Sequence, residues 1–287
     1  MKSVLIEACE RAGIDPRGAR LVKVIGTTVF VLPGCGVVAK IILSPGLRHR
    51  AGCAVRAARL LAAHDVPAVR LVETACEQPV LVDGGAVTFW RQVPESGWPV
   101  RRGEFAGLLK RLHGIPIDPV LCSWDPVTDL RARIADADNV DGELLEWLVS
   151  RCDEVERQLA GVRYRLPRAV IHGDARLANV LCGLTGPTLA DLDTVCVGPV
   201  EWDLVPTAVA ALRFPGGLAA HRELAASYGY DITTWDGFGA LRLARELKLL
   251  TVALPMAAED PHVREQVRHR LRTLREGDDA AWWAPYR

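Results

Sequence analysis

Residues 169–181 read Ala-Val-Ile-His-Gly-Asp-Ala-Arg-Leu-Ala-Asn-Val-Leu, 182–187 read Cys-Gly-Leu-Thr-Gly-Pro, and 188–193 read Thr-Leu-Ala-Asp-Leu-Asp. The apolar run from Ala169 to Ile171 leads into His172-Gly173-Asp174, and Asn179 follows that aspartate just before a second apolar run at Val180 and Leu181. A loop held by two short strands presents a carboxylate and an amide in one pocket. After the turn from Gly183 to Pro187, a strand from Thr188 to Ala190 delivers Asp191 back toward them. Phosphoryl transfer asks for little else: a carboxylate to accept or orient a hydroxyl proton, and hard oxygen ligands for Mg²⁺ bridging the phosphates. Asp174, Asn179 and Asp191 supply that set.

With its flanking strands and its order, this stretch resembles the catalytic core of the aminoglycoside phosphotransferase and choline kinase group, relatives of protein kinases. The resemblance implies an α+β, two-lobed, protein-kinase-like fold, with a small antiparallel sheet plus a helix in the N-terminal lobe and a larger, mainly helical C-terminal lobe. It implies Asp174 as catalytic base, and Asn179 and Asp191 as magnesium ligands. Arg176 sits where many such kinases carry a basic side chain facing the transferred phosphate, whose developing charge it would stabilise. Asp193, two residues after Asp191, faces the same side if the strand persists, in a second-metal or supporting role. His172 is expected to anchor the loop by hydrogen bonds. Gly198-Pro199-Val200-Glu201-Trp202-Asp203-Leu204 extends the likeness, with Asp203 expected to cap a helix and brace the loop.

The 287 residues are 49% hydrophobic and 24% charged, ordinary values for a globular chain with a real core. Thirty-five basic and 35 acidic side chains cancel, so no overall field attracts nucleic acid or an anionic membrane. No apolar stretch reaches the roughly 18 residues a membrane span needs. Eight cysteines lie without a Cys-x-x-Cys pair, and are expected to be free, mostly buried thiols in a reducing cytoplasm. Oligomeric state is left open.

Upstream, Arg20–Ile25, Val29–Leu32 and Val37–Leu43 are β-rich runs separated by Gly26-Thr27-Thr28 and Pro33-Gly34-Cys35-Gly36, the punctuation of an antiparallel meander. Lys40, one of five lysines, is framed by Val38, Ala39, Ile41 and Ile42; such a lysine is expensive in a core unless its ammonium meets an anion. The resemblance implies that it contacts nucleotide phosphates, with Gly26, Thr27 and Thr28 as the turn over them. One departure stands out: kinases of this lineage pair the strand lysine with a helix glutamate, yet no Asp or Glu occurs between Lys40 and Asp65. Val66–Leu71, Val80–Val82 and Ala86–Trp90 complete the small sheet. Residues 91–97 read as the hinge between lobes 1–93 and 94–287, with adenine meeting backbone near Gln92 and Val93.

From Gly103 the pattern is helical, apart from the catalytic segment. Between Phe214 and Arg287 ten acidic and ten basic residues make no acidic trough for a polycationic acceptor. Trp202, Trp235, Trp282 and Trp283 are candidates to stack on an acceptor, or core. The leading expectation is an ATP- or GTP-dependent, Mg²⁺-requiring kinase of a small-molecule hydroxyl, such as an aminoglycoside, another antibiotic or an amino sugar. A Ser/Thr kinase of peptides or proteins is the first alternative. A non-catalytic nucleotide-binding regulator is the second, suggested by the absent helix glutamate.

Overall fold

The computed structural model of the chain describes residues 1–24, 27–137 and 141–286. Gly26, expected in the phosphate turn, lies outside the described residues. Five short strands form an antiparallel sheet in the order β1 (Arg20–Lys23), β2 (Thr28–Leu32), β3 (Val37–Ile42), β5 (Gly85–Arg91), β4 (Val80–Val82). Strand alternation divides the sheet into two faces. Phe30, Leu32, Val37, Ala39, Ile41, Val87 and Phe89 pack with Val4, Leu5, Ala8 and Cys9 of α1 (Lys2–Ala12) in one apolar core. Val29, Val38 and Lys40 therefore face the other side.

Helix α2 (His49–Ala63) buries an alanine-rich apolar face that includes Ala51, Ala54, Ala57, Ala58 and Leu61. It packs against β5 and against a 3-10 turn at Leu192–Thr194. The expected strand at Val66–Leu71 does not form. Pro67 offers no ladder donor, and the segment divides its bonds: Val69 donates to the Leu189 carbonyl at 2.8 Å, while only Leu71 bridges to Trp90.

Helix α3 (Arg102–His113) precedes α4 (Pro126–Ala135) and α5 (Gly142–Ala160). Strand β6 (Arg168–Ile171) pairs with β9 (Cys196–Pro199), and β7 (Val180–Gly183) with β8 (Gly186–Leu189). Then follow α6 (Glu201–Arg213), α7 (Gly217–Tyr228), α8 (Phe238–Thr251), the short α9 (Leu254–Ala257) and α10 (Pro261–Glu276). Asp203 is not the cap of α6. The helix starts two residues earlier, with Val200 at the cap position, and Asp203 lies fully buried in its first turn.

The chain packs as two compact units, Met1–Ser123 with Val170–Val197, and Trp124–Ala169 with Gly198–Arg287. These divide the chain elsewhere than the expected lobe boundary at 93/94, because the β7–β8 hairpin is bonded into the first unit. Leu189 donates to the Pro67 carbonyl at 2.9 Å, and Ser96 donates to the Cys182 carbonyl at 2.7 Å. In the second unit Trp202, Trp235 and Trp283 are buried and Trp282 is exposed. No described helix is long and apolar enough to cross a membrane.

The expectation that all eight cysteines are free is corrected at two of them. Cys53 of α2 and Cys122 form a disulfide with their Cα atoms 6.5 Å apart. A guanidinium nitrogen of Arg56 lies 3.3 Å and 3.2 Å from the two sulfurs. The other six form no disulfide, and of these Cys9, Cys152 and Cys196 are buried.

Candidate functional site

The 172–179 loop is held from both ends. His172 is buried, its ring Nε2 donates to the Ala190 carbonyl at 2.9 Å, and the Thr194 hydroxyl donates to the His172 carbonyl at 2.9 Å. Gly173 has φ of +75°, and a Cβ there would overlap the Thr194 carbonyl, so the loop accepts only glycine at this point. Asn179 closes the loop: its Nδ2 donates to the Asp174 carbonyl at 2.9 Å and to Asp174 Oδ2 at 3.4 Å. Arg176 Nε lies 3.3 Å from Asp174 Oδ2, with the Arg176 side chain 42% exposed.

After β8 the backbone turns sharply. Asp191 adopts a left-handed conformation with φ of 59°, and Leu192–Thr194 is a 3-10 turn. The strand expected to carry Asp191 and Asp193 on one side is therefore absent, yet both carboxylates reach Lys40. Asp191 Oδ1 ion-pairs with Lys40 Nζ, and Asp193 Oδ2 lies 2.7 Å from the same nitrogen. Burial alone would raise the Asp191 carboxyl, but the ammoniums of Lys40 and Lys23 hold it down to about 2. Burial and the neighbouring Asp191 push Asp193 upward, against Lys40 and Arg50. Burial would lower the Lys40 ammonium; Asp193 and Asp191 overcome it and raise it. The partner missing from the helix is thus supplied by the 191–193 turn, and α2 contributes a cation, buried Arg50, to the field around Asp193.

Lys40, Asn179, Asp191 and Asp193 line a cavity of about 250 Å³ within the first unit, whereas Asp174, Arg176 and Arg50 are not among its lining residues. Val29, Val38, Val69, Trp90, Val93, Leu181 and Leu192 form its apolar walls; Lys23, Thr27, Lys40, Asn179, Asp191 and Asp193 are among its polar lining. An apolar slot with a few convergent charges is the form of a small-molecule or cofactor site. Of the turn residues, Thr27 lines it but Thr28 does not. Alternation turns Thr28 to the α1 face, where it is buried and its hydroxyl donates to Met1 Sδ at 3.4 Å. Val93 lines the cavity, whereas the Gln92 amide is already bonded to the Gly36 carbonyl at 2.8 Å.

Asp191 and Asn179 offer the hard oxygens that Mg²⁺ takes, and the depressed Asp191 carboxyl is ionised at neutral pH. Among the described residues no cluster of three or more His, Cys, Asp or Glu side chains could hold a metal unaided. That suits an ion bound by one or two side chains, water and phosphates rather than a closed protein cage. Two members of the site had not been anticipated: Lys23, whose Nζ lies 3.9 Å from Asp191 Oδ2, and Arg50.

A family model described as phosphotransferase enzyme family, APH, matches residues 26–243, more than half of the chain. No curated protein sequence matches. Among solved structures, the aminoglycoside phosphotransferase APH(3'')-Id from Streptomyces rimosus is 18% identical with a TM-score of 0.62, covering 86% of this chain and 98% of its own. Amicoumacin kinase hAmiN, solved with AMP-PNP, Ca²⁺ and Ami, is 13% identical with a TM-score of 0.65, covering 96% and 93%. A choline/ethanolamine kinase family protein from Mesorhizobium loti is 19% identical with a TM-score of 0.56, covering 95% and 94%. The fold is that of the protein-kinase-like phosphotransferases.

Proposed function

The chain belongs to the phosphotransferase enzyme family, and we propose that it moves the γ-phosphate of ATP, or GTP, to a hydroxyl of a small molecule such as an aminoglycoside, another antibiotic or an amino sugar. The observation that carries this reading is the convergence of Lys40, Asp191 and Asp193 in a cavity that also takes in Asn179, itself locked to Asp174.

The apolar walls receive the nucleobase, with Val93 beside it, and Lys40 meets the phosphates. Asp174 accepts the proton of the acceptor hydroxyl as that oxygen bonds to the γ-phosphorus and the bond to the β-γ bridging oxygen breaks, releasing the diphosphate. Arg176, 3.3 Å from Asp174, stands beside the charge that develops during transfer. Asp191 and Asn179 would hold Mg²⁺, which supplies charge neutralisation on the phosphates when bound. Asp193 acts through Lys40, fixing the ammonium's position.

The test is a transfer screen with ATP and GTP, each with Mg²⁺, across aminoglycosides, other hydroxylated antibiotics, amino sugars and Ser/Thr peptides, read by mass spectrometry. A phosphorylated small molecule, absent with Asp174→Asn, is the expected result. Phosphopeptides alone would move the assignment to a peptide kinase. Nucleotide binding without any transfer would move it to a regulator.

A further inference from the structure

Lys23 ends an edge strand whose preceding residues face solvent: Leu21 and Val22 are 49% and 64% exposed. Regular antiparallel pairing would set Val22 opposite Val29. The register instead runs Leu21 to Phe30 and then Lys23 to Val29, so Val22 is an extra residue, a bulge in β1. Val29 in turn lies opposite Lys40. Residues opposed across antiparallel strands share a face, so the bulge turns Lys23 onto the face that carries Lys40. Its side chain lines the cavity, and its Nζ stops 3.9 Å from the Asp191 oxygen that Lys40 leaves.

A partly exposed ion pair at that distance adds little to stability, and Asp191 already has Lys40. Yet two of only five lysines in the chain converge on this one carboxylate. A surplus of ammonium at the mouth of an apolar slot has a use when a polyanion enters. We propose that Lys23 is a second phosphate-contacting residue of the nucleotide site, reaching the phosphate chain from β1 while Lys40 reaches it from β3. This rests on the reading of the cavity as a nucleotide site.

Calorimetric titration of the full chain with ATP, ADP and adenosine, each with Mg²⁺ and again in EDTA, tests it in wild type, Lys23→Met and Lys23→Arg, with thermal melting as the folding control. Lys23→Met should melt as wild type and bind ATP about tenfold more weakly, as expected for loss of one charge-assisted contact. Adenosine affinity should be unchanged, the ATP defect should persist in EDTA, and Lys23→Arg should restore most of the binding. Equal ATP affinity in Lys23→Met would overturn the proposal, as would an equal loss for adenosine. A defect seen only with Mg²⁺ would overturn it too, since Lys23 would then act through Asp191. Failure of the wild-type chain to bind ATP, and GTP titrated in its place, would instead remove the nucleotide reading itself, and the proposal with it.

Discussion

Lys40 Nζ lies 2.7 Å from Asp193 Oδ2, with the two side chains only 9% and 7% exposed. Removing one partner of a buried pair leaves the other uncompensated, which costs about 3–5 kcal/mol where no second partner remains. Lys40→Met should therefore lower the melting temperature as well as raise the Michaelis constant for ATP. Adding Asp193→Asn should recover much of the stability while the defect toward ATP stays. Chemical denaturation and steady-state kinetics on the single and double variants separate the two effects; a Lys40→Met protein as stable as wild type would mean that the pair carries no structural weight.

Asp174 and Asp191 should part company under substitution. Asp174→Asn preserves the shape of the loop, and its expected loss is about 10²- to 10⁴-fold in turnover with Mg·ATP affinity nearly intact. Asp191→Ala should instead weaken Mg·ATP binding, and Asn179→Ala should do so more mildly, since an amide brings no formal charge. Nucleotide titration at several Mg²⁺ concentrations distinguishes them, and unchanged Mg·ATP affinity in Asp191→Ala would sink its metal role.

Features that depend on local spacing were legible in the sequence. The His172-to-Asn179 loop closes on itself through Gly173 and a side-chain bond from Asn179 to Asp174, so the order of residues carries its geometry. Lys40 was legible because a charge amid strand-forming apolar residues demands an anion. What supplied that anion was not, because the 3-10 turn that brings Asp193 to Lys40 breaks the strand periodicity on which its placement was reasoned. Lys23 was hidden for a related reason: a bulge of one residue inverts which side chain faces inward, and composition does not mark it. Asp203 looked like a cap, but Glu201 opens the helix instead and accepts the amides of Arg165 and Leu166 at 2.6 Å and 2.7 Å, a tie between distant segments. The Cys53–Cys122 bond, spanning 69 residues, likewise depends on tertiary packing.

That bond carries its own expectation. Cross-linking a loop of this length restricts the unfolded chain, for a stabilisation of about 4 kcal/mol before any strain is subtracted. Thiol titration under non-reducing, denaturing conditions should count six thiols, matching the six cysteines outside the disulfide. Dithiothreitol should lower the melting temperature of the wild type and leave a Cys53→Ala/Cys122→Ala variant unaffected. Eight titratable thiols in protein purified without reductant would show that the pair stays open in solution.

Alkaline pH should destabilise the fold. Burial raises the thiols of Cys9 and Cys152 from 9.0 to about 11 and the phenols of Tyr164, Tyr228 and Tyr286 from 10.0 to about 12. Each is an acid that the unfolded chain loses first, so between those values the native state holds more protons and stability falls as pH rises. The decline should start near pH 9 and run on to about 12. Urea unfolding across this range should show a shallower fall in Tyr286→Phe than in wild type; parallel curves would exclude Tyr286 as a contributor.

The C-terminal segment should prove a structural clamp of the second unit. Trp283 is 1% exposed, and the guanidiniums of Arg213 and Arg270 lie 4.8 Å and 5.0 Å from its ring centroid. Its indole donates to the Thr273 hydroxyl at 3.1 Å, and Arg213 also pairs with Glu246 at 2.7 Å. Truncating the indole removes a large buried surface and takes the aromatic face from buried Arg213, while Arg270 keeps the Tyr286 ring at 3.8 Å, so Trp283→Ala should cost about 3–5 kcal/mol. Trp283→Phe keeps much of the ring contact but not the hydrogen bond, and should cost less. Trp282, 54% exposed, provides the control: Trp282→Ala should leave the denaturation midpoint almost unchanged. If the two alanine variants unfold alike, the segment is not held through Trp283, and the packing of the two arginines against it contributes nothing to the stability of the unit.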